Sequence, residues 1–204
     1  MVDGFGGLDE AIAKAAELAK LGDERGVTYL DPEPTGWASF FAGFAGSGEE
    51  EEAAPTDALA SLGRALDVFE NDPALLYARA MLHERAGRID DALADLQRVL
   101  DDHPDSHQAL NAYGYALAVH REAWAEALPY LERALELAPG SGAILDSVGW
   151  VHYKLGRRDS ALVLLRQAWA ARRDPEIAAH LGEVLWQAGE RAEAREIWRA
   201  GLRL

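Results

Sequence analysis

Apolar residues recur along the last three quarters of the chain in a double rhythm. Within stretches of about a dozen residues they fall at helical spacing, and the stretches themselves repeat every 33–35 residues. Ala92, Ala127, Ala161 and Ala194 lie 35, 34 and 33 residues apart. Each is followed four residues later by a large apolar side chain: Leu96, Leu131, Leu165 and Trp198. Upstream of each, in a separate helical stretch, stands a small residue: Ala80, Gly114, Gly149 or Gly182. Gly87, Gly156 and Gly189 mark turns between the two stretches of three units, and Pro73, Pro104, Pro139 and Pro175 punctuate the unit boundaries, where a helix must stop. The pattern predicts a helix–turn–helix unit repeated four times.

Two antiparallel helices joined by a tight turn cross closely only if one offers a small side chain where the other offers a large one. Gly inside a helix costs about 1 kcal/mol relative to Ala. Three glycines at one place in the unit must therefore be offset by close contact. A single unit cannot bury its apolar face alone, so the units are expected to stack. Before them, Ala58 to Phe69 reads as a second helix without its first, a half-unit.

These residues resemble the tetratricopeptide repeat (TPR) family from about Pro73 to Leu204. The second unit carries the likeness best, with Leu110, Tyr113, Gly114, Leu117, Ala127, Leu131, Ala134 and Pro139; the first departs most, with Arg79 for the usual Leu and His83 for the usual Tyr. The phrases "AILDSVGWVHYKLGR" and "PEIAAHLGEVLWQAGE" are similar to the TPR segment of bacterial TPR lipoproteins, some of them protease adaptors, although the lipidation Cys is absent. The resemblance implies an all-α fold, a TPR-type helical-hairpin solenoid (an α–α superhelix) over 56–204 with a small N-terminal appendage.

The first 45 residues differ. An Asp-capped amphipathic helix is predicted over Leu8 to Leu21, then an extended "RGVTYLDPEP", then an aromatic stripe at Trp37, Phe40, Phe41 and Phe44 at helical spacing. The stripe could cap the solenoid, fill its groove in cis or meet a second chain. Residues 46–55 form an acidic linker, with Glu49 to Glu52 as a solvated run. Residues 2–34 resemble the C-terminal end of signal peptide peptidases of the SppA type, without the Ser and Lys that do chemistry in that family.

In "LDSVGWVHYKLG", Leu145, Val148 and His152 form one stripe, while Asp146, Trp150 and Tyr153 form another. The first suits a core. The resemblance places the second on the concave face, where first helices line a groove. By the same register the groove holds Tyr77, Met81, Glu84 and Arg85 in the first unit, and Asn111 and Tyr115 in the second with Gln108 and Ala118. It holds Asp146, Trp150, Tyr153 and Lys154 in the third, and Glu183 and Trp186 in the fourth with Glu176 and Gln187. The other reading of these aromatics is packing between neighbouring repeats. Tyr77 and Met81 stand where chaperone-binding TPR proteins need Lys and Asn for a carboxylate clamp.

A formal charge of −15 argues against a nucleic-acid partner, because phosphates would be repelled. The absence of Cys excludes disulfides, thiolate metal sites and Cys nucleophiles. No apolar run approaches the ~20 residues of a membrane span, and the start lacks the features of a signal peptide. A cytoplasmic chain is expected as written, or a periplasmic one had a signal segment been removed; membrane contact is not expected. His103 and His107 lie among acids in "DDHPDSH", which could bind a divalent cation but is best read as an inter-repeat turn with acidic helix caps. His83 and His152 read as packed, hydrogen-bonded core histidines; His120 and His180 have no evident acid–base partner. No Ser lies in a nucleophile elbow, and no phosphate loop occurs. No catalytic residue, metal or cofactor is expected. The sequence points to a non-enzymatic adaptor or scaffold that binds a protein or peptide in the groove, with a homodimer through the C-terminal face as a further expectation. Two other readings stay open: a self-assembling structural protein, and a regulator or fragment linked to a signal peptide peptidase.

Overall fold

The computed structural model describes residues 53–204, and all nine elements among them are α-helices. The appendage, the acidic linker up to residue 52, the aromatic stripe and the peptidase-like segment lie outside the described residues. The chain divides into two compact units, whose described parts are 53–104 and 105–204. The first holds α1 (Ala53–Leu66), α2 (Pro73–Arg85) and α3 (Ile89–Asp102). The second holds three hairpins: α4 (His107–Arg121) with α5 (Trp124–Leu137), α6 (Gly142–Lys154) with α7 (Arg158–Ala171), and α8 (Pro175–Gln187) with α9 (Arg191–Gly201). None of these helices is long and apolar enough to cross a membrane.

Each first helix starts at a side-chain cap. Asp72 accepts hydrogen bonds from the Ala74 and Leu75 amides, Ser106 from Ala109, Ser141 from Ile144, and Asp174 from Glu176. Such caps satisfy amides that have no partner inside the helix. Pro73 and Pro175 follow directly at the first helical position, where a missing N–H costs nothing. The turn glycines Gly87, Gly156 and Gly189 all adopt positive φ. The hairpin α4–α5 has no glycine there; Glu122 takes the left-handed conformation instead, at φ 52°.

The small-against-large rule holds hairpin by hairpin. A β-carbon added at Gly114 would lie 2.7 Å from Leu131 and at Gly149 2.8 Å from Leu165, and one at Gly182 would run into the Trp198 indole. Only a missing side chain permits these approaches. In the second unit each later first helix also packs on the second helix of the preceding hairpin, α6 on α5 and α8 on α7. The core is therefore continuous: Leu145 and Leu165 share one buried cluster with Leu181, Leu185 and Ala194.

In the first unit the two departures from the repeat pattern meet at one residue. Arg79 donates two hydrogen bonds to Asp95, at 2.6 and 2.7 Å, and His83 Nε2 lies 3.8 Å from the same carboxylate. The core histidines are packed as expected, but their hydrogen bonding is not as expected. Nδ1 of His83 and Nδ1 of His152 are buried without a hydrogen-bond partner, although Asp91 lies 3.9 Å from the former. Burial is the first cause that pushes both pKa values down, with Arg88 and Arg157 adding to it.

Candidate functional site: the first-helix face

In the second unit the first helices α4, α6 and α8 contact one another in sequence, α4 with α6 and α6 with α8. Their side chains interlock. Tyr115 on α4 donates to Glu176 Oε1 on α8 at 2.8 Å, across 61 residues of sequence. Tyr153 on α6 donates to Glu183 Oε1 on α8 at 3.1 Å. Trp150 lies 5.2 Å from Tyr153, and on α8 it stacks on His180 at 4.1 Å with 15° between the planes. Lys154 sits over both the Trp150 and Trp124 rings, 4.9 and 5.3 Å from their centroids.

At the centre, Asp146 Oδ2 and His180 Nδ1 are 2.9 Å apart. Asp146 is only 5% exposed. Its second oxygen, Oδ1, is buried without a hydrogen-bond partner. One ligand atom each from Asp146, Glu176 and His180 fall within 4.8 Å of one another. Burial works against the charged form of His180, but the Asp146 carboxylate, then Glu176 and Glu183, outweigh it and raise the pKa. Glu176 is likewise pushed up, first by burial and then by Asp146, against the stabilising bond from Tyr115.

The structure thus brings Tyr115, Trp150, Tyr153, Lys154 and Glu183 together with Glu176 and the buried Asp146. It pairs His180, which the sequence left without a partner, with Asp146. Asn111 lies on the same helix as Tyr115, and its Oδ1 is buried without a partner. Trp186 makes its contacts within its own hairpin. Its ring lies 5.7 Å from that of Trp198 on α9, with Arg191 above it, so it packs against the second helix of its own hairpin. The expectation of packing between repeats also holds for Trp150, which bridges α6 and α8.

His180 escaped because the register set by Gly149 and Gly182 aligns it with Ser147, one residue beyond the Asp146 column. The available signal was its spacing from Glu176, at i and i+4 on one helix face.

The first unit carries Tyr77, Met81, Glu84 and Arg85. Met81 is 4% exposed and belongs to the core. Tyr77 is half-buried, and burial, with Glu84 adding, raises its phenol well above the ordinary range. A cleft of about 530 Å³ in this unit is lined instead by Arg64, Asp67, Glu70, Arg79 and Arg98 with Ala60, Gly63 and Leu66. Its cations are engaged: Arg79 by Asp95, Arg98 by the Glu70 carbonyl and Asn71, and Arg64 by Ser61. In "DDHPDSH" the cap of α4 is Ser106 and not an acid, while Asp105 pairs with Arg133 at 2.8 Å.

Capped antiparallel hairpins with a glycine at three of the four crossings, and first helices joined by side chains, define a helical-repeat protein. Tetratricopeptide repeat profiles match residues 53–94 and 77–142, 118–179 and 175–200. The chain belongs to the tetratricopeptide repeat family. The TPR repeat-containing protein PA4667 of Pseudomonas aeruginosa is 42% identical over 118 residues. That match covers 58% of this chain and 20% of the relative, so the chain spans about a fifth of that relative's length. Among solved structures, TTC0263, a thermophilic TPR protein of Thermus thermophilus, superposes with a TM-score of 0.66 at 24% identity, covering 82% of this chain and 87% of that chain. PilW, a type IV pilus biogenesis factor, gives 0.68 at 21% identity, covering 76% and 74%. At these identities the likeness establishes the fold.

Proposed function

We propose that the chain is a non-enzymatic protein-binding adaptor that receives a partner segment on its first-helix face. The observation that carries this reading is the row Tyr115, Trp150, Tyr153 and Glu183, set on three successive first helices and linked across them. The close crossings of the hairpins are made elsewhere, at Gly114, Gly149 and Gly182. Aromatic rings with fixed polar neighbours are the usual energetic centres of recognition. Membership of a repeat family whose members typically bind proteins supports the same reading. Burial on the rings would supply affinity, and Glu183 and Lys154 would select the register of the bound segment.

A photo-reactive side chain placed at Tyr153 tests this, with one at Val163 as control. Val163 is 57% exposed on the second helix α7. Crosslinks to a polypeptide from position 153, absent from 163, are expected. Equal labelling from both positions, or none from 153, would overturn the assignment. Crosslinks from 153 only to a second copy of the chain would favour the self-assembling scaffold.

A further inference from the structure

We propose that Asp146, Glu176 and His180 form a binding site for a divalent transition-metal ion of the zinc type. Three independent observations converge on it. The donor set is right: one imidazole and two carboxylates suit zinc, with a fourth position left for water or an outside donor. The placement is right: Glu176 and His180 are four residues apart on α8, hence on one face, and Asp146 reaches them from α6. The charge is right: two carboxylates meet one imidazole, and Asp146 Oδ1 is buried with no hydrogen-bond partner. A buried carboxylate with one oxygen left without a donor is costly, and a cation held by that carboxylate would offset the cost.

One ligand pair already has the required spacing, and the cluster must close around the ion at the third ligand. Zinc bonds of about 2.0–2.2 Å imply ligand–ligand separations of about 3.0–3.5 Å. Asp146 Oδ2 and His180 Nδ1 are already 2.9 Å apart, and all three ligand atoms lie within 4.8 Å of one another. Two of the three ligands are also held from behind. Tyr115 fixes Glu176 at 2.8 Å, and the Trp150 ring, stacked at 4.1 Å, fixes the plane of His180. Such outer partners orient ligands and sharpen affinity. Metal binding would displace the proton shared by Asp146 and His180 and join α6 to α8. The site does not depend on the adaptor reading; either can fail alone.

Calorimetric titration of the full chain with zinc chloride provides the test, with thermal unfolding alongside. One ion per chain and a raised Tm are expected, while magnesium, which prefers all-oxygen sites, should leave Tm unchanged. Asp146→Asn, Glu176→Gln and His180→Asn should each weaken zinc binding at least about tenfold. His103→Ala combined with His107→Ala should keep it, which separates this site from the surface histidines. Cobalt in place of zinc should give visible absorption bands that His180→Asn abolishes. Should Asp146→Asn fail to fold, Glu176→Gln reads the same site from a partly exposed position. No saturable binding tighter than about 100 μM, or affinity unchanged in Glu176→Gln and His180→Asn, would overturn the proposal.

Discussion

Arg79 and Asp95 face each other across the first complete hairpin, joined by two hydrogen bonds of 2.6 and 2.7 Å, with Asp95 only 4% exposed. In the next hairpin the equivalent places hold two tyrosine rings, Tyr113 and Tyr130, 4.7 Å apart. A buried ion pair is weak evidence of stability, since the desolvation cost rivals the attraction, but breaking one strands a charge. Asp95→Ala should therefore cost about 3 kcal/mol in urea unfolding. The double change Arg79→Leu with Asp95→Leu should recover most of that loss. A double variant as unstable as Asp95→Ala would show that the pair is needed for more than charge compensation.

The glycines inside helices separate into two kinds, and substitution should move stability in opposite directions. Gly63 lies in α1 with nothing within 4 Å of an added β-carbon, so Gly63→Ala should stabilise by about 0.5–1 kcal/mol through helix propensity. Gly149→Leu would drive a side chain into Leu165, 2.8 Å from its β-carbon, and should destabilise by at least about 1–3 kcal/mol. Gly182→Ala should also destabilise, because Trp198 lies against the backbone there. Melting temperatures that rise for Gly63→Ala and fall for the other two would bear out the crossing geometry.

Stability should fall on mild acidification, through His83 and His152. Both folded pKa values are lowered, by burial first. Around His83 stand Arg88 and Arg79 against Asp95 and Asp91; around His152, Arg157 against Glu132. A lowered folded pKa means that the unfolded chain binds the proton first. The contribution is fully present above the unfolded value of about 6.5 and is lost as pH falls through the folded pKa. Denaturant unfolding from pH 8 to 5 should show a shallower decline for His83→Phe combined with His152→Phe than for the parent chain. Taking the difference cancels His180, whose raised pKa acts with the opposite sign.

What was legible in the sequence was what a single hairpin decides. The 33–35 residue period, the glycine opposite Leu131, Leu165 or Trp198, and the turn glycines are local demands of a close helix crossing, and each reappears. Exceptions are compensated by residues that no period reveals. Glu122 supplies the left-handed turn where glycine is missing, and Asp95 appears on the second helix to satisfy Arg79. The surface was less legible, because it depends on how successive first helices rotate against each other. Trp150 and Tyr153 each reach from α6 to α8. Trp186 turns to its own second helix, and His180 reaches back to Asp146 from a position the register assigns to the column of Ser147.

Trp186 gives the last prediction. Its ring lies 5.7 Å from that of Trp198, whose indole in turn fills the space left by Gly182. Trp198 also donates from its indole N–H to the Ala179 carbonyl, at 3.4 Å. The two rings thus hold α8 to α9, so Trp186→Ala removes packing from the last hairpin. A loss of about 2–3 kcal/mol is expected, less than for a fully buried Trp because the ring is only half-buried. In a repeat array stability is carried by each hairpin and its neighbours, so the loss should stay local. Amide exchange in α8 and α9 should quicken while α4 and α5 keep their protection. If exchange is unchanged throughout but partner crosslinking from position 153 falls, Trp186 belongs to the recognition surface after all.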